Sequence, residues 1–208
     1  MRSARPHPAS PWVLDTRALG RRPGSMKPVR LSAPVDVPIG IEVIAVPAGR
    51  QVDLDLRLES VTEGVLVSGE ASAEATGECA RCLAEIRQPV RVTVRELYAY
   101  PGSTTDETTD EDELPRVCDD LIDLAPLIRD EITLALPLAP LCGPDCRGLC
   151  PGCGERLAEL EAGHSHEILD PRWAALAERF PSGGAEKSDS VRVAGGGSPD
   201  SGSVAFPE

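Results

Sequence analysis

Aromatic side chains are nearly missing from this chain: two Phe, two Trp and two Tyr make up 3% of its 208 residues. The core must therefore be built from Val, Leu, Ile and Ala, although hydrophobic residues as a whole reach a globular 41%. No apolar run approaches the ~20 residues that a membrane helix needs. The early arginines are not followed by an apolar stretch, so the N-terminus does not read as a secretory signal. Histidine is scarce too, at three. His7 is followed by Pro8 and Ala9, so the His-x-Glu of a zinc deaminase is missing. No Gly-rich phosphate loop runs into Lys-Ser or Lys-Thr, and there is no Gly-x-Ser-x-Gly elbow. These absences point away from an enzyme and from a membrane protein, and toward the cytoplasm.

Positive charge is short overall but locally dense. The net charge is -13. Yet residues 1–30 hold Arg2, Arg5, Arg17, Arg21, Arg22, Lys27 and Arg30 against Asp15 alone, while residues 103–123 hold nine acids against Arg116. Such an acidic chain is a poor candidate for wrapping nucleic acid, which takes a broad cationic surface. A local contact through the basic head stays open. So does the plain reading of both runs as solvated loops.

The pattern along the chain predicts an α+β fold: an antiparallel β-sheet or open barrel, then a helix, then a C-terminal zinc-knuckle segment. Residues 1–12 read as a disordered basic head. Met26 offers an internal start, disfavoured because Leu14-Asp15-Thr16 ahead of it reads as ordered. Residues 35–100 read as mainly β. Val52 to Leu58 alternates strictly between apolar and charged residues, the mark of a half-buried strand. The odd positions from Val65 to Ala75 form a face of small residues. Val90, Val92 and Val94 alternate with polar neighbours, and the phase then slips at Glu96 to Leu97, as a bulge would cause. An acidic loop is expected over 101–120 and a helix over 121–136, with Asp123 as N-cap and Pro126 in the first turn. A metal-binding segment over 141–166, a short helix over 170–180 opened by Asp170-Pro171, and a disordered tail over 182–208 complete the reading.

The chemistry lies in the seven cysteines. In a reducing compartment they point to metal or redox chemistry rather than a disulfide scaffold. Cys150-Pro151-Gly152-Cys153-Gly154 is a metal knuckle, in which a two-residue gap aims both thiolates at one ion. Cys79 and Cys82 form a second pair, Cys142 and Cys146 a third, and His164 and His166 a fourth. Structural zinc takes four ligands, usually two pairs from different segments. Two groupings are natural. Cys142, Cys146, Cys150 and Cys153 can share one ion. Alternatively, Cys79 and Cys82 join Cys142 and Cys146, while Cys150 and Cys153 join His164 and His166. The second uses every group and is preferred. An iron–sulfur cluster competes for the tight run, and a redox pair competes for Cys79 and Cys82. Cys118 stands apart as incidental.

Taken in order, these motifs resemble the actinobacterial type of the YceD family. The resemblance is carried by Leu14-Asp15-Thr16-Arg17, Arg21-Arg22-Pro23-Gly24, Cys79-Ala80-Arg81-Cys82-Leu83, Leu134-Ala135-Leu136-Pro137-Leu138, Leu141 through Gly154, and Asp170-Pro171-Arg172-Trp173. It covers residues 13–180. It implies a role in accumulation or processing of large-subunit ribosomal RNA. The partner is then that RNA, met through the basic head, or a basic ribosomal protein held by the acidic body, which fits the net charge of -13 better than RNA binding does. It implies no catalytic residue. Some family members lack the cysteines, so one or two Zn2+ ions here would be structural. The competing function is a thiol redox or metal-responsive protein using Cys79 and Cys82.

Overall fold

The alternation of residues 51–60 translates directly into β5 (Gln51–Ser60), whose Val52, Leu54, Leu56 and Leu58 are buried while the residues between face outward. This computed structural model describes residues 6–110, 114–166 and 172. The chain divides into two units, Met1–Ser165 and His166–Glu208, and every element below belongs to the first. The expected short helix at 170–180 and tail at 182–208 lie outside the described residues, apart from Arg172.

The principal sheet is antiparallel and six-stranded. Its order is β2 (Met26–Pro34), β5, β6 (Gly64–Glu78), β4 (Ile44–Val46) and β3 (Ile39–Ile41), with β7 (Glu85–Ala99) on the other side of β6. A two-stranded sheet pairs β1 (Val13–Asp15) with β8 (Leu121–Asp123). The helices are α1 (Thr104–Thr108) and α2 (Ala125–Ala135).

β6 and β7 form the long hairpin of the sheet. Their register runs from Gly64↔Ala99 to Glu78↔Glu85 without interruption. The bulge expected at Glu96 to Leu97 is therefore not formed: Glu96 stays in phase with Val94 and with buried Tyr98. Small residues on β6 let β5 approach closely. A Cβ on Gly69, at φ +149, would stand 2.2 Å from the carbonyl oxygen of Asp55.

Five further expectations are corrected. Strands begin at β1 and β2, ahead of Val35. Residues 6–12 are not a loose head, because Trp12 is buried and its Nε1 donates to the Pro34 carbonyl at 3.1 Å. The stretch 121–123 is a strand rather than the start of a helix. The N-cap of α2 is Leu124 rather than the expected Asp123, with no side-chain cap bond. Asp123, one residue earlier, still accepts from the Ala125 N–H at 2.9 Å, and its carbonyl accepts from the Tyr98 hydroxyl at 2.9 Å. The acidic stretch 101–120 contains α1, capped by Ser103.

Helix α2 covers the core with Ile128 and Ile132, and Leu136 beyond its end is buried as well. Leu134 faces outward, 82% exposed. Ile132→Ala should therefore cost about 2–5 kcal/mol, by lost transfer energy plus a cavity. Leu134→Ala should stay within about 0.5 kcal/mol. Urea unfolding of the two variants checks the assignment of the helix face.

Candidate metal centres

The β6–β7 hairpin ends in a six-residue loop, and that loop is the first knuckle. β6 stops at Glu78 and β7 starts at Glu85, so Cys79 and Cys82 stand at the tip. The Cys79 N–H donates to the Ala84 carbonyl at 2.8 Å, and the Leu83 N–H to the Cys79 carbonyl at 2.9 Å. Closing the loop this way puts Leu83 at φ +56 with its side chain 56% exposed. The knuckle at Cys150 repeats the pattern: the Cys150 N–H donates to the Glu155 carbonyl at 2.7 Å and the Gly154 N–H to the Cys150 carbonyl at 2.8 Å. Here the left-handed position is Gly154, at φ +77. Only glycine takes that backbone without a steric cost.

The segment after α2 comes to the hairpin tip. Pro137 follows the helix, and the Pro140 carbonyl accepts from the Ala80 N–H at 2.8 Å. That contact brings Cys142 and Cys146 against Cys79 and Cys82. The sulfurs of Cys79 and Cys146 are 3.6 Å apart, as are those of Cys82 and Cys142, and all four lie within 4.8 Å of one another. Sulfurs sharing one tetrahedral ion at a Zn–S distance of about 2.3 Å stand about 3.8 Å apart. A disulfide would need about 2.05 Å, and thiolates bound to separate irons of a cluster would stand farther apart. The group has the spacing of a mononuclear site and can hold one metal ion.

Proton energetics agree with the geometry. Burial works to raise the Cys79 thiol, but N–H groups of Cys142, Arg81 and Cys82 aimed at its sulfur outweigh this and bring it down to about 6. The Cys142 thiol, crowded by the sulfurs of Cys146, Cys82 and Cys79, is pushed up to about 12. One thiolate forms readily. Further negative charge on its neighbours needs a cation between them.

Cys150 and Cys153 do not share the first group, so the grouping of all four C-terminal cysteines on one ion is not the arrangement found. They gather with His164 instead. Nε2 of His164 is 3.5 Å from the sulfur of Cys153, close to the ~3.6 Å expected for S and N on one tetrahedral zinc. The Cys150 thiol is lowered, chiefly by N–H groups of Cys153 and Gly152. His166 is the first residue of the second unit. Cys118 is a free thiol beside the turn it shares with Leu121.

Spacing alone did not reveal Arg156. Its Nε donates to the Cys82 carbonyl at 3.0 Å and its Nη2 to the Leu83 carbonyl at 3.3 Å. Arg81 answers from the other side, donating to the Cys146 carbonyl at 3.0 Å. The two knuckles are therefore tied by arginines to each other's surroundings.

Comparison with known proteins gives the lineage. The family described as "Large ribosomal RNA subunit accumulation protein YceD" matches residues 67–178. An uncharacterized protein of Mycobacterium tuberculosis is 51% identical over 190 residues, covering 91% of this chain and 89% of its own. One from Mycobacterium leprae is 44% identical over 172 residues, covering 83% and 79%. The protein YlbN of Bacillus subtilis is 28% identical over 123 residues, covering 59% and 67%. No solved structure matches.

Elemental analysis of the purified chain should find two ions per molecule. It should find one after Cys79→Ser/Cys82→Ser and one after Cys150→Ser/Cys153→Ser. Leu83→Gly should keep both ions and raise the unfolding free energy by about 0.5–1 kcal/mol, because it removes a left-handed β-carbon. Metal content and denaturant midpoints measured together test both statements.

Proposed function

From membership of the YceD family, to which this chain belongs, we infer that the protein is a non-catalytic factor in large-subunit ribosomal RNA accumulation. The family match is the observation that carries this reading. The metals are structural zinc. Cys79, Cys82, Cys142 and Cys146 fill one shell with four thiolates. Cys150, Cys153 and His164 supply three ligands of a second, and His166, two residues beyond His164, supplies the fourth. Four protein ligands leave no open position for water or substrate, which is the mark of a structural rather than a catalytic site. When bound, the ions hold the segment after α2 against the hairpin tip, and the folding energy of that segment comes largely from ligation. A thiol redox role for Cys79 and Cys82 is the second reading, supported by the lowered Cys79 thiol. The 3.6 Å contacts of both sulfurs with Cys146 and Cys142 in the other segment support the metal reading over it. No helix among the described residues is long and apolar enough to cross a membrane, in keeping with work in the cytoplasm on ribosomal RNA or a basic ribosomal protein.

Conditional depletion tests the role. Large-subunit ribosomal RNA should fall relative to small-subunit RNA, and re-expression of the chain should restore the ratio. An unchanged ratio in depleted cells would overturn the reading.

A further inference from the structure

The basic motif near the N-terminus, unused by the metal centres, builds a hollow of its own. Thr16, Arg17, Gly20, Arg21, Tyr100 and Asp120 line a cavity of about 200 Å3. Three segments meet there: the turn after β1, the end of β7 and the turn before β8. The guanidinium of Arg21 lies over the Tyr100 ring, 5.1 Å from its centroid, while 68% of the Arg21 side chain stays exposed. One face of a flat cation is thus covered by an aromatic ring and the other is open. Nη2 of Arg21 also donates to Oδ1 of Asp120 at 3.2 Å, which sets the plane and leaves Oδ2 as an acceptor.

The walls are held rigidly. Asp119 and Asp120 sit at φ +54 and +61, consecutive left-handed residues without a glycine, a costly backbone for a turn. It is fixed because the Asp120 carbonyl accepts from both the N–H and the hydroxyl of Thr16, at 2.9 and 2.8 Å. Opposite, Nε of Arg17 donates to both carboxylate oxygens of Asp15. That hydrogen bonding holds the Asp15 carboxyl at about 2, so Asp15 is ionised at physiological pH. Next to Arg21 in the chain, the exposed Arg22 side chain makes no hydrogen bond or ion pair among the described residues.

We propose that this hollow binds one unstacked base of a single-stranded RNA. An open guanidinium plane backed by tyrosine is a stacking platform for a base. Asp120 offers only acceptor oxygen, so it selects a base edge rich in N–H donors, guanine above adenine. The exposed Arg22 then faces a flanking phosphate, to which Arg17, held by Asp15 through Nε and Nη2, offers only Nη1. An acidic peptide fits less well, because it would have to displace Asp15 and Asp120 from their arginines, whereas a stacked base leaves both pairs intact. The acids beside the hollow make binding a matter of stacking and edge contacts rather than bulk charge, consistent with a chain of net charge -13. The inference rests on the RNA-related function proposed above and locates a contact for it.

The test uses the full, metal-loaded chain and labelled single-stranded hexamers, one all-adenine and one with a single guanine. The guanine hexamer should bind more tightly, and log affinity should fall with log salt with a slope of only about 0.7–1.4, as for one or two phosphates on a single strand. Arg21→Ala should weaken binding by about tenfold, the scale of one lost base stack, with metal content and melting temperature unchanged. Asp120→Asn keeps a residue tolerant of the left-handed turn and should abolish the preference for guanine. Equal binding by wild type and Arg21→Ala, no RNA binding at all, displacement of the hexamer by polyglutamate, or equal affinity for free guanosine monophosphate would each overturn the site. Those results would leave the depletion phenotype standing. An unchanged RNA ratio in depleted cells would instead remove the function on which the site rests.

Discussion

Four sulfurs within 4.8 Å of one another are the constraint around which the C-terminal part of the first unit is arranged. Uncharged, they are a small polarizable cluster. Ionised, they repel one another and need a cation. From Leu138 to Ser165 the chain buries little beyond Pro140, Gly148 and Cys150, far too little apolar surface to order it against the entropy of nearly thirty residues. The contacts that position it are the cysteine cluster and the backbone hydrogen bonds around it. The sheet is ordered in the opposite way, by a continuous core of Val, Leu, Ile and Ala that owes nothing to metal.

The hairpin of β6 and β7 joins these two regimes. Its fifteen paired positions make a stiff arm that packs on α2 through β7 and whose tip is a knuckle. Arg156 and Arg81 extend the order outward by satisfying carbonyls at Cys82, Leu83 and Cys146. The two knuckles share one hydrogen-bond pattern. They differ in the residue just after the second cysteine: Leu83 in the hairpin loop, Gly154 in the later one. The leucine has the costlier backbone and is tolerated because both ends of its loop are anchored in strands.

Much of this is legible in the residues, and the rest is hidden for a physical reason. The alternation of Val52 to Leu58 and of Val90 to Val94 marks strands because burial on one face imposes a period of two. Leu121-Ile122-Asp123 reads as the start of a helix because three residues carry no period. They are a strand only because Val13-Leu14-Asp15 arrives from a hundred residues away, and local pattern does not see such pairing. The slip expected at Glu96 rests on treating a charged residue as outward-facing. Glu96 is half-buried and in register, since a long side chain can lie along an apolar surface with its carboxylate in water. For the metal groups, counting ligands favours pairs drawn from different segments, but spacing does not choose between the groupings. The Pro140 contact that aligns them, and the roles of Arg156 and Leu83, depend on tertiary approach and leave no local trace.

The uninterrupted register of β6 and β7 has one more consequence. Because the hairpin is zipped by its own backbone bonds and backed by an apolar core, its fold would not depend on an ion at its tip. If the cysteine groups hold metal as proposed above, the part that would loosen without it is the segment just after Leu136, where Leu138 and Leu141 are exposed. Loss of metal would then leave a folded sheet with a protease-sensitive segment between α2 and Cys142, rather than an unfolded chain.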